Sequence, residues 1–392
     1  LAKFDPESPL WQEISVPVAD RLITEGERNP TEWGVWTGLL SSASEQLRKP
    51  LLEIALKVPG NVQDELRGDL AADLLNRVAA DHFETLHGLV MQGRPKQFAA
   101  VFKNYETKHR STAVGELREE LGKPEPDREK NEKEEEREVR LSVIRRKANG
   151  AVALYRLREW DEVKDFLTVT DNPEKLSQFI HRLRGRDVDP GRMIETYQAL
   201  AGELTDQLPP EERQQHYLRM YAFVLGLGDY PWGNLPVAAR DGLKTQMVNA
   251  YGEHPSRAVH SALGWTLRQW GFDAEVKAVD ETEKPFDPSL EREWYVIRVD
   301  TPTDQWINNE LGVPRFCKFD DVYLTMLVFP GGTFSMGESG NRNVTITQTT
   351  AISDREITWN QFNWIDCGTT WSEFVKRETN RNENRSEEHT SE

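Results

Sequence analysis

Apolar residues recur along most of this chain at the three-and-four spacing that gathers them on one side of a helix. Leu70, Leu74, Leu75 and Val78 make one such stripe, and Phe98, Val101, Phe102 and Tyr105 make another. Further stripes follow at Leu176, Phe179, Ile180 and Leu183, and at Tyr217, Leu218, Tyr221, Val224 and Leu225. A last one comprises Val259, Leu263, Thr266, Leu267 and Trp270. Asn29-Pro30, Val58-Pro-Gly60 and Gly93-Arg-Pro95 interrupt the pattern with residues that end one helix and start the next. Residues 9 to 121 are therefore expected to be successive short helices. The period falls to two at Glu293-Trp-Tyr-Val-Ile297, and Val322 to Phe329 is the next clear strand.

Pro95, Pro173 and Pro255 head similar helical segments 78 and 82 positions apart. Each interval is close to twice a repeat of ~40 residues, the size of a HEAT-like pair of antiparallel helices. Such pairs bury their apolar sides by stacking, so a curved α-solenoid is expected, serving as a binding platform or as a spacer. Apart from its prolines, 123–138 is wholly polar and suits an exposed helix or a loose linker, with burial resuming near Val143 or Ala148. Trp270-Gly271 closes the array, and the acidic, proline-bearing stretch 273–293 suits an exposed connection. The expected organisation is helical repeats over 1–122 and 139–272, and a different, strand-bearing domain over 294–384.

Composition narrows the classes. With 392 residues the chain has room for two or three domains, and 37% hydrophobic with 29% charged residues describes a helix-rich, folded protein. No apolar run reaches the roughly 20 residues that cross a bilayer as a helix. The chain starts at Leu1 without a basic-then-apolar leader, which suggests an internal piece of a longer protein, cytoplasmic or membrane-anchored. A net charge of −17 argues against a nucleic-acid surface. The dense basic patch from Arg140 to Lys147 adjoins an acidic run and is expected to be a solvated helix face. Cys317 and Cys367 offer neither a disulfide framework nor a zinc site.

The most distinctive stretch runs from Met326 to Phe362. It opens Met-Leu-Val-Phe-Pro-Gly-Gly-Thr-Phe-Ser-Met-Gly, resumes at Val344-Thr-Ile-Thr and continues Asp354-Arg-Glu-Ile-Thr-Trp-Asn-Gln-Phe362. Met326, Val328 and Phe334 supply strand positions, and Gly331-Gly332 a turn that tolerates positive φ. Thr358 with Gln361 fits a capping box opening a helix that presents Trp359, Phe362 and Trp364. These are scaffold residues. Glu356 is the one charge placed to suggest chemistry, and a structural anchor or a solvated side chain is the plainer expectation.

Met326 to Gly337 and Glu356 to Phe362 resemble the N-terminal signature of the formylglycine-generating enzyme (sulfatase-modifying factor) family. The resemblance implies the truncated start of a mixed α+β, C-type-lectin-like domain. Ala148 to Leu157, Phe179 to Leu183 and His260 to Gly271 are similar to a helical-repeat region found beside such domains in large bacterial signalling proteins, often with a serine/threonine kinase upstream. Oxidase members of the family bind copper(I) through a late cysteine pair, because soft thiolates suit that ion. Cys317 and Cys367 do not match that pair, and Glu338 to Asn343 lacks the Pro-x-His element of many relatives.

Other catalytic patterns fail. In Gly226-Leu-Gly-Asp-Tyr-Pro-Trp-Gly233 a proline stands where a third phosphate-loop glycine would be, and Arg184-Gly-Arg-Asp187 lacks the kinase histidine. His82, His87, His109, His181, His216, His254, His260 and His389 have no ligand spacing. No catalytic, cofactor-binding or metal residue is therefore assigned, and no cofactor is expected in this segment. Arg385 to Glu392 resembles a translated sequencing adapter. Two functions remain: an interaction or spacer region joined to an incomplete sulfatase-modifying-factor-like domain, or a docking segment of a protein kinase. Either would take a protein partner or a neighbouring domain, without nucleic acid and with no membrane-crossing helix.

Overall fold

The computed structural model describes residues 2–3, 5–29, 31, 33–126, 132–169, 173–205, 207–287, 289, 291–299, 305–308, 314–317, 322–336 and 342–356. Among these the chain is mainly helical, with a small antiparallel sheet toward the C-terminal end. It divides into two compact units, 1–243 with 336–342 and 244–335 with the residues from 343 on.

The first unit contains α1 (Trp11–Arg28), α2 (Trp33–Leu40), α3 (Ser44–Leu56), α4 (Val62–Val78), α5 (Phe83–Gln92) and α6 (Pro95–Gly122). After them come α7 (Glu134–Arg156), α8 (Trp160–Phe166), α9 (Glu174–Gly185), α10 (Pro190–Glu203) and α11 (Pro210–Gly228). The expected breaks fall between helices. Asn61 caps α4 by accepting the Asp64 amide at 2.9 Å, and Pro95 and Pro190 occupy first helical turns where no amide is needed. The strongest packing joins near neighbours in the chain: α3 with α4, α5 with α6, α7 with α9, α10 with α11.

The stripes face inward with some rotation: Leu70 and Val78 of α4 and Leu176 of α9 are only half-buried. Phe98, Val101, Phe102 and Tyr105 are all buried. On α11 the buried face is His216, Tyr217, Met220, Phe223, Val224 and Leu227, whereas Leu218, Tyr221 and Leu225 are only half-buried. Helix lengths differ widely, from 7 residues in α8 to 28 in α6. The proline interval from 95 to 173 holds three helices, so the spacing does not mark equal helix pairs.

Arg140 to Lys147 departs from expectation. Only part of it is a solvated face: Ser142 is exposed and Arg145 partly so, but Arg140 and Lys147 are only 2% and 3% exposed. Arg140 donates to both oxygens of Glu132, at 2.7 and 3.0 Å, and also pairs with Glu174 at the start of α9. The wholly polar run thus supplies counter-charges that let α7 bury its cations, a pattern that only tertiary structure reveals.

In the second unit lie α13 (Arg257–Gln269), α14 (Asp273–Asp280) and the later part of α12 (Val237–Glu253), where Met247 and Tyr251 are buried. Strands β1 (Trp294–Val299), β4 (Val322–Phe329) and β7 (Thr350–Ser353) form an antiparallel sheet with β4 in the middle. Val296 stands opposite Thr325, and Val328 opposite Ala351. Two further pairs are β2 (Gln305–Asn308) with β3 (Pro314–Cys317) and β5 (Gly332–Met336) with β6 (Arg342–Ile346). The Pro330-Gly331-Gly332 connection therefore does not close a hairpin; it carries the chain from one sheet to the other. Neither glycine adopts positive φ. Gly331 is needed for closeness instead, since a Cβ there would lie 2.8 Å from the Ile346 carbonyl oxygen.

The stretch 273–293 holds α14, and Lys284 exchanges two backbone hydrogen bonds with Val296 of β1 at 2.9 and 3.0 Å. Thr358, Trp359, Gln361, Phe362, Trp364, Cys367 and Arg385 to Glu392 lie outside the described residues.

Gly271 ends α13 in a Schellman motif. Its amide donates to the Arg268 carbonyl at 2.9 Å, the Phe272 amide donates to the Leu267 carbonyl at 3.0 Å, and its φ is +82°. Gly271→Ala is expected to destabilise the second unit by about 1 kcal/mol, because a Cβ is strained in that region. The check is a lowered urea midpoint with an unchanged slope.

Candidate functional site

Several polar side chains in the interior are directed at helix ends. The last carbonyls of an α-helix have no partner within the helix and form the negative end of its dipole. Gln97 donates to the Ala55 carbonyl in α3 at 2.6 Å, and Asn149 to the Met91 carbonyl in α5 at 2.7 Å. Lys147 donates to the Leu121 carbonyl in α6 at 3.1 Å and also to the Lys123 carbonyl. His216 donates to the Leu200 carbonyl in α10 at 2.8 Å, so its Nε2 carries the proton. Arg219, Arg156 and Arg184 reach the ends of α8, α9 and α11 through the carbonyls of Lys164, Arg186 and Asp229.

The densest example surrounds the end of α5. Arg186 is 3% exposed and donates to the carbonyls of Val90 and Gly93 at 3.3 and 2.9 Å. Its guanidinium lies over the Phe98 ring at 4.5 Å, while Arg156 lies over Phe102 at 4.1 Å. Burial presses Arg186 down to about 9, with repulsion from Arg182 adding to it. It is still charged at neutral pH, held by carbonyl dipoles and aromatic faces.

A second cluster occupies the other unit. His260 is stacked between Tyr251 and Trp294, at 4.3 and 3.8 Å between ring centres. Tyr251 Oη donates to Asp280 at 2.5 Å, and the other Asp280 oxygen accepts from Arg268 at 3.1 Å and Arg355 at 2.8 Å. Trp294 Nε1 donates to the His254 carbonyl at 2.7 Å. Tyr251, Asp280, Arg268 and Arg355 are thus joined in one hydrogen-bonded network.

No family model, curated protein or solved structure matches this chain.

Glu356 is exposed, and its neighbour Arg355 is the residue engaged, with Asp354 and Asp280. Of the histidines, His87 meets the Tyr105 hydroxyl at 2.8 Å, His109 the Ala80 carbonyl at 2.9 Å, and His181 is exposed. His389 lies outside the described residues. Among the described residues no group of three His, Cys, Asp or Glu could hold a metal ion, and no helix is long and apolar enough to cross a membrane.

What the chain does display is apolar surface near its start. Helix α2 turns Val35, Trp36 and Leu39 outward at 62%, 41% and 55% exposure, and Val58 and Val62 are also exposed. Their spacing does not mark them as exposed, because apolar residues fall on both sides of Trp33 to Leu40.

Arg186→Ala would strand two buried carbonyls, with an expected cost of about 3 kcal/mol in a urea titration. His87 supplies a pH effect. Burial, reinforced by Arg146, lowers it to about 4, so its stabilisation is present above the unfolded value near 6.5 and is lost as pH falls toward 4. Discounted for partial exposure, the loss is expected to be about 2 kcal/mol, and His87→Gln should flatten the acid limb of the stability profile.

Proposed function

We propose that this chain is a protein-interaction and spacing region of a multidomain bacterial protein, a HEAT-like helical array leading into a segment of formylglycine-generating-enzyme type. The observation that carries the interaction reading is the outward Val35, Trp36 and Leu39 of α2. A tryptophan flanked by aliphatic side chains on a helix surface is the composition of a binding hot spot. Support for the spacing role comes from near-neighbour packing and helix ends sealed by other helices, which favour rigidity. Arg140, Lys147, Arg186, His216 and His260 are engaged in caps, ion pairs and aromatic contacts, which favours a scaffold over an active centre.

The test uses the purified chain and the domains that flank it in its parent protein. A flanking domain is expected to bind the chain, and Trp36→Ser should weaken that binding at least about tenfold without lowering the melting temperature. In parallel, the chain is expected neither to convert a sulfatase-type cysteine peptide to formylglycine with copper(I) and oxygen nor to phosphorylate protein from ATP. Either activity in a clean preparation, or binding indifferent to Trp36→Ser, overturns the proposal.

A further inference from the structure

The turn between α12 and α13 carries more hydrogen bonds than joining two helices requires. The Ser256 amide donates to His254 Nδ1 at 3.2 Å, so that nitrogen is the unprotonated one. Trp294 Nε1 binds the His254 carbonyl at 2.7 Å, and the Glu293 amide binds the Pro255 carbonyl at 2.9 Å. One turn further on, His260 donates from Nδ1 to the Tyr251 carbonyl at 2.8 Å, leaving Nε2 fully buried and without a hydrogen-bond partner. The start of β1 is thus held by the His254 and Pro255 carbonyls of this turn and by the His260 ring stacked on Trp294. The neutral His254 and His260 imidazoles brace the turn itself.

We propose that this turn is an acid-released latch: proton uptake by His254 and His260 frees the start of β1 from α12 and α13. Protonating His254 puts an N–H at Nδ1, directly facing the Ser256 N–H. Two donors then meet where one donor met an acceptor. Protonating His260 creates a buried N–H at Nε2, while the nearest carboxylate, Asp280, is already shared by Tyr251, Arg268 and Arg355. The surrounding charges come from every element packed there. Arg268 on α13 and Arg355 after β7 oppose a new cation, and Asp280 on α14 favours it. Lys284 and Arg292 lie over Trp294 at 6.0 and 5.3 Å, and Arg257 is neutralised by Glu293 at 3.2 Å. Burial dominates, and it holds both imidazoles down to about 4. Each group therefore stabilises the closed latch above pH ~6.5, and that contribution is lost as pH falls toward 4.

Hydrogen exchange of the full chain tests this, read at the amides of Trp294–Val299 at about pH 7.5 and about pH 4.5 after correction for intrinsic rates. Protection there is expected to drop on the order of a hundredfold at the lower pH. In His254→Asn the amide oxygen can accept from Ser256 without titrating, so the drop should shrink about tenfold or more. Ser256→Pro is a second, independent variant. It removes the opposing N–H at a residue whose φ is already −72°, and should shrink the drop likewise. Unchanged wild-type protection between the two pH values overturns the latch, as does a full-sized drop in both variants.

Discussion

Unpaired carbonyls at helix C-termini are the constraint on which this structure depends. A helical interior can bury a dozen apolar stripes and still fail if each helix ends in orphan acceptors inside that interior. Here the ends are closed by side chains from other helices, through Gln97, Lys147, Asn149, Arg186 and His216 among others. Because several of these donors are cations, each bond draws on both hydrogen bonding and the dipole, and hydrogen bonds to charged groups are worth roughly 1.5–3 kcal/mol. The same bonds fix which helix follows which at close range. A cap on α5 that comes from Asn149 and Arg186 ties together segments far apart in sequence.

This explains what could and could not be read from the residues alone. Apolar stripes and breaks are local, so Phe98, Val101, Phe102 and Tyr105 face inward as their spacing requires. The caps are long-range, and nothing around Lys147 announces that its partners are the Leu121 and Lys123 carbonyls. For the same reason Arg140 looks solvated in sequence and is buried in structure. Its counter-charges, Glu132 and Glu174, lie on either side of α7 along the chain. Gly331 is a milder case. Its place in a Pro-Gly-Gly run suggests conformational freedom, whereas its task is to let the Ile346 carbonyl come near. The candidate surface on α2 is not legible from periodicity because apolar residues lie on both sides of that short helix, Trp33 inward and Val35, Trp36 and Leu39 outward.

Burial of so many ionisable groups has a chemical consequence. Tyr105, Tyr155, Tyr197 and Tyr251 are all shifted upward by burial, and His87, His254 and His260 downward. Perturbed groups often signal an active centre, yet structural networks perturb them as well. What separates the cases is geometry. In this chain His87 meets a tyrosine hydroxyl, His260 a backbone carbonyl, and Tyr251 a carboxylate shared by two arginines. Each of these three has a hydrogen-bonding partner beside it, whereas Tyr197 is shifted by burial alone.

The two clusters meet the same constraint with opposite chemistry. Around α5 the caps are the Asn149 amide and the Arg186 cation, so acid leaves their charge unchanged. At the end of α12 the turn is braced by imidazoles, whose accepting nitrogen becomes a second donor on protonation. Trp294 joins this turn from β1, stacking on the His260 ring and donating its indole N–H to the His254 carbonyl. An arginine in place of His254 would bring only donors to a site where Ser256 needs an acceptor. Stability in that turn is therefore tied to neutrality, and the sensitivity to acid follows from the same hydrogen bonds that hold the turn together.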